Sequence, residues 1–214
     1  LDIRLNVLGS VVDKFIICEA TRDHAGKVKN LRFNIEKFKK FQNKIDYIVV
    51  DDIPVNVKSF KKNWHENHLR DQFQRNALSR GIKKYNSEDL IMISDIDEIP
   101  NPNKIKDFNI ENKYACFLQK NFQSKINLLN ITNKYWAGTK ICQKKFLKSP
   151  QWLRNIKTKK PPFWKFFADK QPQLIENGGW HFSFLKSPND IKRKINSYSH
   201  QEFNIPKFTN EKNI

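Results

Sequence analysis

The sequence contains few of the residues that hold small or fibrous proteins together. Its 214 residues include 3 cysteines and 6 glycines. Cys18, Cys116 and Cys142 form no CxxC pair, which argues against a disulfide framework and against a structural zinc site. We therefore expect buried thiols in a reducing compartment. The shortage of glycine excludes collagen-like and Gly-linker architectures.

Long apolar runs are also missing. No stretch of 18 apolar residues occurs, so the sequence predicts no membrane-spanning helix. It shows no signal peptide. Because it begins with Leu1 rather than Met and opens directly on an amphipathic pattern, we expect a fragment of a longer protein. The predicted location is cytoplasmic, with peripheral membrane association, or the Golgi lumen if the fragment is eukaryotic.

Acidic residues are scarce relative to basic ones. Asp and Glu number 22 against 40 Lys and Arg, a formal net charge of +18. Such a charge predicts an anionic partner: nucleic acid, an anionic membrane surface or a phosphorylated ligand. The chain is nonetheless 13% aromatic, which excludes wholesale disorder. Its length fits a single domain over 1–214, with a flexible tail after 206.

Buried strands alternate with helical patterns in the first half of the chain. Apolar runs that end in acids predict strands at 14–19, 47–51 and 90–94. Helical spacing predicts helices at 2–11, 34–43, 63–81 (with Gly81 as C-terminal cap) and 188–198. Shorter strands are predicted at 114–122 and 127–139. This order favours an α/β fold with an open, mostly parallel sheet and helices on both faces.

The strongest chemical signal is Asp95-Ile-Asp97-Glu98, which directly follows the apolar run at 90–94. Ligands of open α/β sheets bind beyond the carboxyl ends of the strands. Two carboxylates at such a strand end can bind Mg²⁺ or Mn²⁺, which would neutralise a diphosphate. The alternative is that these acids only cap the next helix, at 101–103.

Three functions fit this strand end or the charge. A haloacid-dehalogenase-type phosphatase would use Asp95 as nucleophile and Asp97 as acid/base, but it needs a late acidic cluster, and the acids after Glu98 are isolated. A nucleic-acid-binding protein would explain the charge, but the lysines are dispersed and no nucleic-acid-binding motif occurs, so no nucleic acid is expected. The third function is a nucleotide-sugar glycosyltransferase with a metal-binding DxD motif.

Several ordered blocks resemble glycosyltransferase family 17, and together they cover nearly the whole chain. They are Leu1-Asp-Ile-Arg-Leu-Asn6, Val12-Asp-Lys-Phe-Ile-Ile-Cys-Glu-Ala-Thr21, Gly26-Lys27, Trp64-His-Glu-Asn-His-Leu-Arg-Asp-Gln-Phe-Gln-Arg-Asn76, Ile93-Ser-Asp-Ile-Asp-Glu-Ile-Pro100, Gly178-Gly-Trp-His-Phe-Ser183 and Ser199-His-Gln-Glu-Phe-Asn204.

The resemblance implies a GT-A-like, Rossmann-like fold that lacks the family's first strand. It also implies an inverting, Mn²⁺- or Mg²⁺-dependent transfer of a sugar, GlcNAc by analogy, from a UDP-sugar donor to a glycan or glycolipid acceptor. Asp95 and Asp97 match the family's DxD motif and would hold the metal and the UDP diphosphate. His181 would complete the metal shell or act as general base, unless it is a core residue.

The other candidate residues each have a functional and a structural interpretation. Glu98 would face the donor sugar, act as a base or cap the following turn. His200 and Glu202 would close over the donor or lie on a solvated helix end.

Nucleotide contacts are predicted elsewhere in the chain. Arg75 would contact nucleotide or phosphate, or form a surface salt bridge. Glu19 and Asp51 would contact uracil or ribose, or cap loops. The basic, aromatic segment 157–167 fits contact with an anionic membrane, acceptor binding or a buried strap.

Overall fold

The structure is a computed structural model that describes residues 1–55, 66–162, 164 and 169–197. The chain divides into two compact units. Unit 1 consists of Leu1–Asp13 and Lys84–Leu185, and unit 2 consists of Lys14–Lys83 and Lys186–Ile214.

The described residues form α-helices, β-strands and short 3-10 helices. The strands are β1 (Phe15–Ala20), β2 (Ile45–Val50), β3 (Leu90–Ile93), β4 (Glu98–Pro100), β5 (Tyr114–Gln123), β6 (Tyr135–Gln143), β7 (Gln173–Ile175) and β8 (Gly179–Ser183). The α-helices are α1 (Asp2–Leu8), α2 (Glu66–Ala77), α3 (Ser79–Ile82), α4 (Pro150–Asn155) and α5 (Pro188–Ser197). The 3-10 helices are Ile35–Lys44, Pro102–Asp107 and Lys144–Phe146.

Unit 2 is built on the parallel pair β1 and β2, whose register aligns Phe15 with Ile45. Helices α2 and α3 pack on this pair. Gly81 lies inside α3 and is not the predicted C-terminal cap. A Cβ at Gly81 would lie 2.9 Å from Ile16 Cγ2, so the close packing of α3 on the strands requires glycine there.

Unit 1 contains a six-stranded mixed sheet in the order β3-β6-β5-β8-β4, with β7 paired to β5. The pairs β3–β6, β5–β6 and β4–β8 are antiparallel, whereas β5 pairs in parallel with β7 and β8. One side of the sheet packs on a core that includes Phe108, Phe117 and Ile141. Burying these side chains supplies the main stabilisation of this unit.

The predicted α/β class is confirmed, but the strand pairing differs from the open, mostly parallel sheet that we expected. The run at 90–94 forms an edge strand that pairs antiparallel with β6, and its first residue, Leu90, is exposed. An apolar run indicates burial but does not identify the pairing partner, and here the partner lies about 50 residues later in the chain. None of the described helices has the length and hydrophobicity needed to cross a bilayer.

Candidate functional site

The acidic turn lies between β3 and β4 of unit 1, and Glu98 begins β4. Glu98 is completely buried, yet its carboxylate is hydrogen-bonded on both oxygens. The Asp95 amide donates to Glu98 Oε2 at 3.1 Å, and the Trp136 indole donates to Oε1 at 2.7 Å. Glu98 is therefore built into the turn, and it orders the residues that precede it.

Arg154, from the last turn of α4, is the main partner of this turn. Its guanidinium donates to both Glu98 oxygens, at 2.8 and 2.9 Å, and to Asp95 Oδ2 at 3.0 Å. It also donates to the Gly138 carbonyl at 2.8 Å. Such a bidentate pair has the geometry that arginine forms best with carboxylates.

Burial and charge act in opposite directions on the two groups of this pair. Burial raises the pKa of Glu98 and the Asp95 charge adds to the rise, whereas the Arg154 guanidinium opposes it. Burial alone would lower the pKa of Arg154, but the Glu98 and Asp95 carboxylates raise it above its usual value. Arg154 therefore keeps its positive charge at physiological pH.

A second arginine, Arg4 of α1, holds the backbone of the same turn. Its guanidinium donates to the Asp95 carbonyl at 3.2 Å and to the Glu98 carbonyl. Burial lowers the pKa of Arg4, and the acids of the turn oppose that effect. Two arginines, from α1 and α4, thus fix the conformation of the acidic turn.

His181 lies on β8 directly opposite Glu98 in the β4–β8 register and is 8% exposed. Its ring stacks on Trp136, with the ring centroids 4.5 Å apart. His181 Nδ1 lies 2.9 Å from Asn121 Oδ1, and the Asn121 amide nitrogen donates to the Asn133 carbonyl. Because that bond orients the amide, Nδ1 must donate, and the lone pair of neutral His181 is on Nε2.

The structure brings only part of the predicted metal set together. His181 Nε2 lies 3.9 Å from Asp97 Oδ1, whereas Asp95 is bound by Arg154. In the described part of the chain, no group of three or more His, Cys, Asp or Glu residues is arranged to hold a metal ion. Asp97 and His181 are therefore the two predicted metal ligands that face each other in the structure.

Glu19 lies on β1 in unit 2, and its carboxylate binds its own loop. It accepts from the Arg32 and Phe33 amides, from Lys29 Nζ at 3.0 Å and from the Tyr47 hydroxyl. Burial alone would raise the pKa of Glu19, but these donors lower it. The Phe33 and Tyr47 rings stack beside it and line an open depression of about 770 Å³. The observed contacts match the loop-capping alternative.

The remaining predicted residues belong to unit 2 or lie outside the described structure. Asp51 is exposed just after β2. Arg75 donates to Asp71 within α2 at 3.1 Å, the salt bridge that was the structural alternative. His200 and Glu202 lie outside the described residues, as does part of the segment 157–167.

Sequence reasoning missed Arg154, Arg4, Trp136 and Asn121 as parts of the site. A signal existed for one of them. Arg154 is the only arginine between Arg80 and Arg193, whereas lysine recurs throughout that stretch. Arginine in a lysine-rich background indicates a position that needs the planar, bidentate group.

Comparisons with known proteins agree with the resemblance. The family model for glycosyltransferase family 17 matches residues 1–214. The chain is similar to the human and rat β-1,4-mannosyl-glycoprotein 4-β-N-acetylglucosaminyltransferases, with 30% identity over 105 residues, and to the mouse protein with 29%. These matches cover 47% of this chain and 19% of each relative. No solved structure matches the chain significantly.

Proposed function

Because the chain belongs to glycosyltransferase family 17, we propose that it transfers a sugar from a UDP-sugar to a glycan or glycolipid acceptor with inversion. GlcNAc is the first candidate sugar, since the relatives are named as N-acetylglucosaminyltransferases. The observation that carries this proposal is the family match over the whole chain. A GT-A-like arrangement of the complete fold is part of the same proposal.

The donor chemistry near the acidic turn fits a divalent metal. Asp97 offers a carboxylate, and His181 offers a nitrogen whose lone pair is oriented by the bond from Nδ1 to Asn121. Such an outer contact is typical of metal-binding histidines, and carboxylate with imidazole suits Mn²⁺. Few protein ligands are needed when phosphate oxygens complete the shell. A bound Mn²⁺ or Mg²⁺ would stabilise the negative charge of the departing UDP.

The other residues of the site hold the turn in position. Arg154 pairs with Glu98 and Asp95, and Arg4 binds two carbonyls of the turn. We assign Glu98 to this positioning role because its carboxylate is buried and already accepts four hydrogen bonds. Of the two residues predicted as the base that takes the proton of the acceptor hydroxyl, Glu98 and His181, only His181 then remains, as the alternative to its role in the metal shell.

Calorimetric titration of UDP, with and without Mn²⁺, tests the metal site. Asp97→Asn should lower the Mn²⁺-dependent UDP affinity at least tenfold, because it removes a negatively charged ligand. Asp107→Asn is the matched control, since Asp107 also lies in unit 1 but pairs with Lys104 on a 3-10 helix. Equal UDP binding without metal, or an unchanged Asp97→Asn protein, would overturn the assignment. A donor screen by UDP release then identifies the sugar.

A further inference from the structure

The hairpin tip, residues 124–135, consists of the turn between β5 and β6 and the first residue of β6, and it presents large apolar side chains to solvent. Ile131 is 89% exposed, Ile126 60%, Leu128 53% and Tyr135 49%. Soluble proteins expose single apolar side chains without consequence, but a cluster in so short a segment marks an interaction surface.

The hairpin tip is ordered by its own hydrogen bonds. The Gln123 amide donates to the Leu128 carbonyl at 3.0 Å, and the Asn130 amide donates to the Asn121 carbonyl at 2.8 Å. The Asn130 side chain donates to Gln123 and accepts from the Asn133 amide. These bonds hold the turn in a conformation that directs its apolar side chains outward.

Charge around the hairpin tip favours an anionic partner. Lys120, Lys125 and Lys134 are exposed on or beside it. In the sequence, no Asp or Glu occurs between Glu111 and Asp169, whereas thirteen Lys or Arg residues do. Exposed aliphatic side chains with a tyrosine and lysines, and without acids, fit the interface of an anionic bilayer, where lysines meet the headgroups.

We propose that the hairpin tip inserts its apolar side chains into the interface of an anionic lipid bilayer. Ile126, Leu128 and Ile131 enter the acyl boundary, and the flanking lysines bind the headgroup charge. This surface is distinct from the segment 157–167 that the sequence suggested for membrane contact.

The hairpin tip is joined to the candidate site through Asn121. The Asn121 amide donates to the Lys134 carbonyl at 3.0 Å, and its side chain orients His181. A bilayer bound at the hairpin tip would therefore present a lipid-borne acceptor to the end of the sheet that carries the acidic turn. This lipid-borne acceptor rests on the proposed transferase function, whereas bilayer binding does not.

Co-sedimentation of the chain with vesicles tests the proposal. Vesicles of phosphatidylcholine mixed with phosphatidylglycerol should bind the wild type, and pure phosphatidylcholine vesicles should bind it far less. Ile131→Asp should lower partitioning at least about tenfold. Ile110→Asp is the matched control, since Ile110 is 57% exposed in the same unit and the change in charge is identical. Lys125→Glu should cost roughly fivefold or more, against Lys106→Glu as its control.

The outcomes are separable. Absence of binding to the anionic vesicles, or equal losses in Ile131→Asp and Ile110→Asp, overturns the membrane proposal. So does lipid-free self-association that Ile131→Asp abolishes, because the tip would then be a contact between copies. Circular dichroism of each variant checks folding, with Ile131→Ser as the substitute if the aspartate variant unfolds. Vesicle binding without UDP release overturns the transferase function alone, and UDP release without vesicle binding overturns the membrane proposal alone.

Discussion

Replacing Arg154 with leucine should destabilise unit 1 far more than the loss of a surface ion pair would. The substitution removes two hydrogen bonds from Glu98, one from Asp95 and one from the Gly138 carbonyl. The Asp95 side chain is 41% exposed and can be solvated by water, but Glu98 is completely buried. Breaking a buried pair by removing one partner costs about 3–5 kcal/mol, because the other charge stays buried.

Denaturant unfolding followed by far-UV circular dichroism measures this loss, with two companion variants. Arg80→Leu breaks the exposed pair with Asp52 and should cost less than about 1 kcal/mol. Adding Glu98→Gln to Arg154→Leu removes the unpaired charge and should restore most of the lost free energy of unfolding. If Arg154→Leu and Arg80→Leu lower the free energy of unfolding equally, the buried pair does not hold the turn.

The same variant has a pH dependence of known sign. Without Arg154, the burial that raises the pKa of Glu98 loses its strongest opposing influence. A carboxyl group whose pKa is raised on folding stabilises the protein at low pH, and that stability is lost as the pH rises through the folded pKa. The deficit of Arg154→Leu relative to wild type should therefore grow as the pH rises above the usual range of a glutamate pKa, because the variant's Glu98 keeps its proton to a higher pH than that of the wild type. A deficit independent of pH would contradict this account of the Glu98 charge.

Three further substitutions test the candidate site and the packing of the sheet around it. Asn121→Ala should raise the Mn²⁺ concentration for half-maximal UDP release about 10–100-fold, because His181 loses the partner that orients it, and an unchanged value would contradict that role. Gly179→Ala should cost more than about 2 kcal/mol by thermal unfolding, since Gly179 has φ +128° and its Cβ would lie 2.1 Å from a backbone oxygen; Gly9→Ala, at φ −62°, should cost little. Burial lowers the pKa of Lys140 to about 8, so the unfolded chain binds more protons above this pH and wild type should gain stability over Lys140→Met between about pH 8 and about pH 10.

The sequence was sufficient to predict most elements of the fold but not their pairing. The apolar runs that became β1, β2 and β3 were identified, as was helix α5. The sheet order depends on contacts such as Met92 with Ile141, which join residues far apart in the chain. Hydrophobic periodicity reports which face is buried, and several pairings satisfy the same pattern.

The site was predictable where one segment carried the signal. Asp97 and His181 were selected as candidates from their local motifs, and the structure places His181 Nε2 3.9 Å from Asp97 Oδ1. Arg154 was missed because its role depends on where α4 places it, 59 residues after Asp95 in the chain. The ion pairs and hydrogen bonds that set the pKa and the orientation of these carboxylates join residues far apart in the chain. A local sequence motif does not contain them.

Because Arg4 and Arg154 hold the acidic turn, a ligand that binds at this turn requires unit 1 to be folded. Arg4 and Asp95 are 91 residues apart in the chain, and Asn121 and His181 are 60 apart. Contacts of such sequence separation form only after most of the loop-closure entropy has been lost, so the turn acquires its shape late in folding. A peptide that carries only the acidic motif lacks Arg4, Trp136 and Arg154, which hold the turn in the folded unit. Mn²⁺ with UDP should therefore bind only the folded chain and not the unfolded one. The midpoint of unfolding should then rise as the ligand concentration is increased.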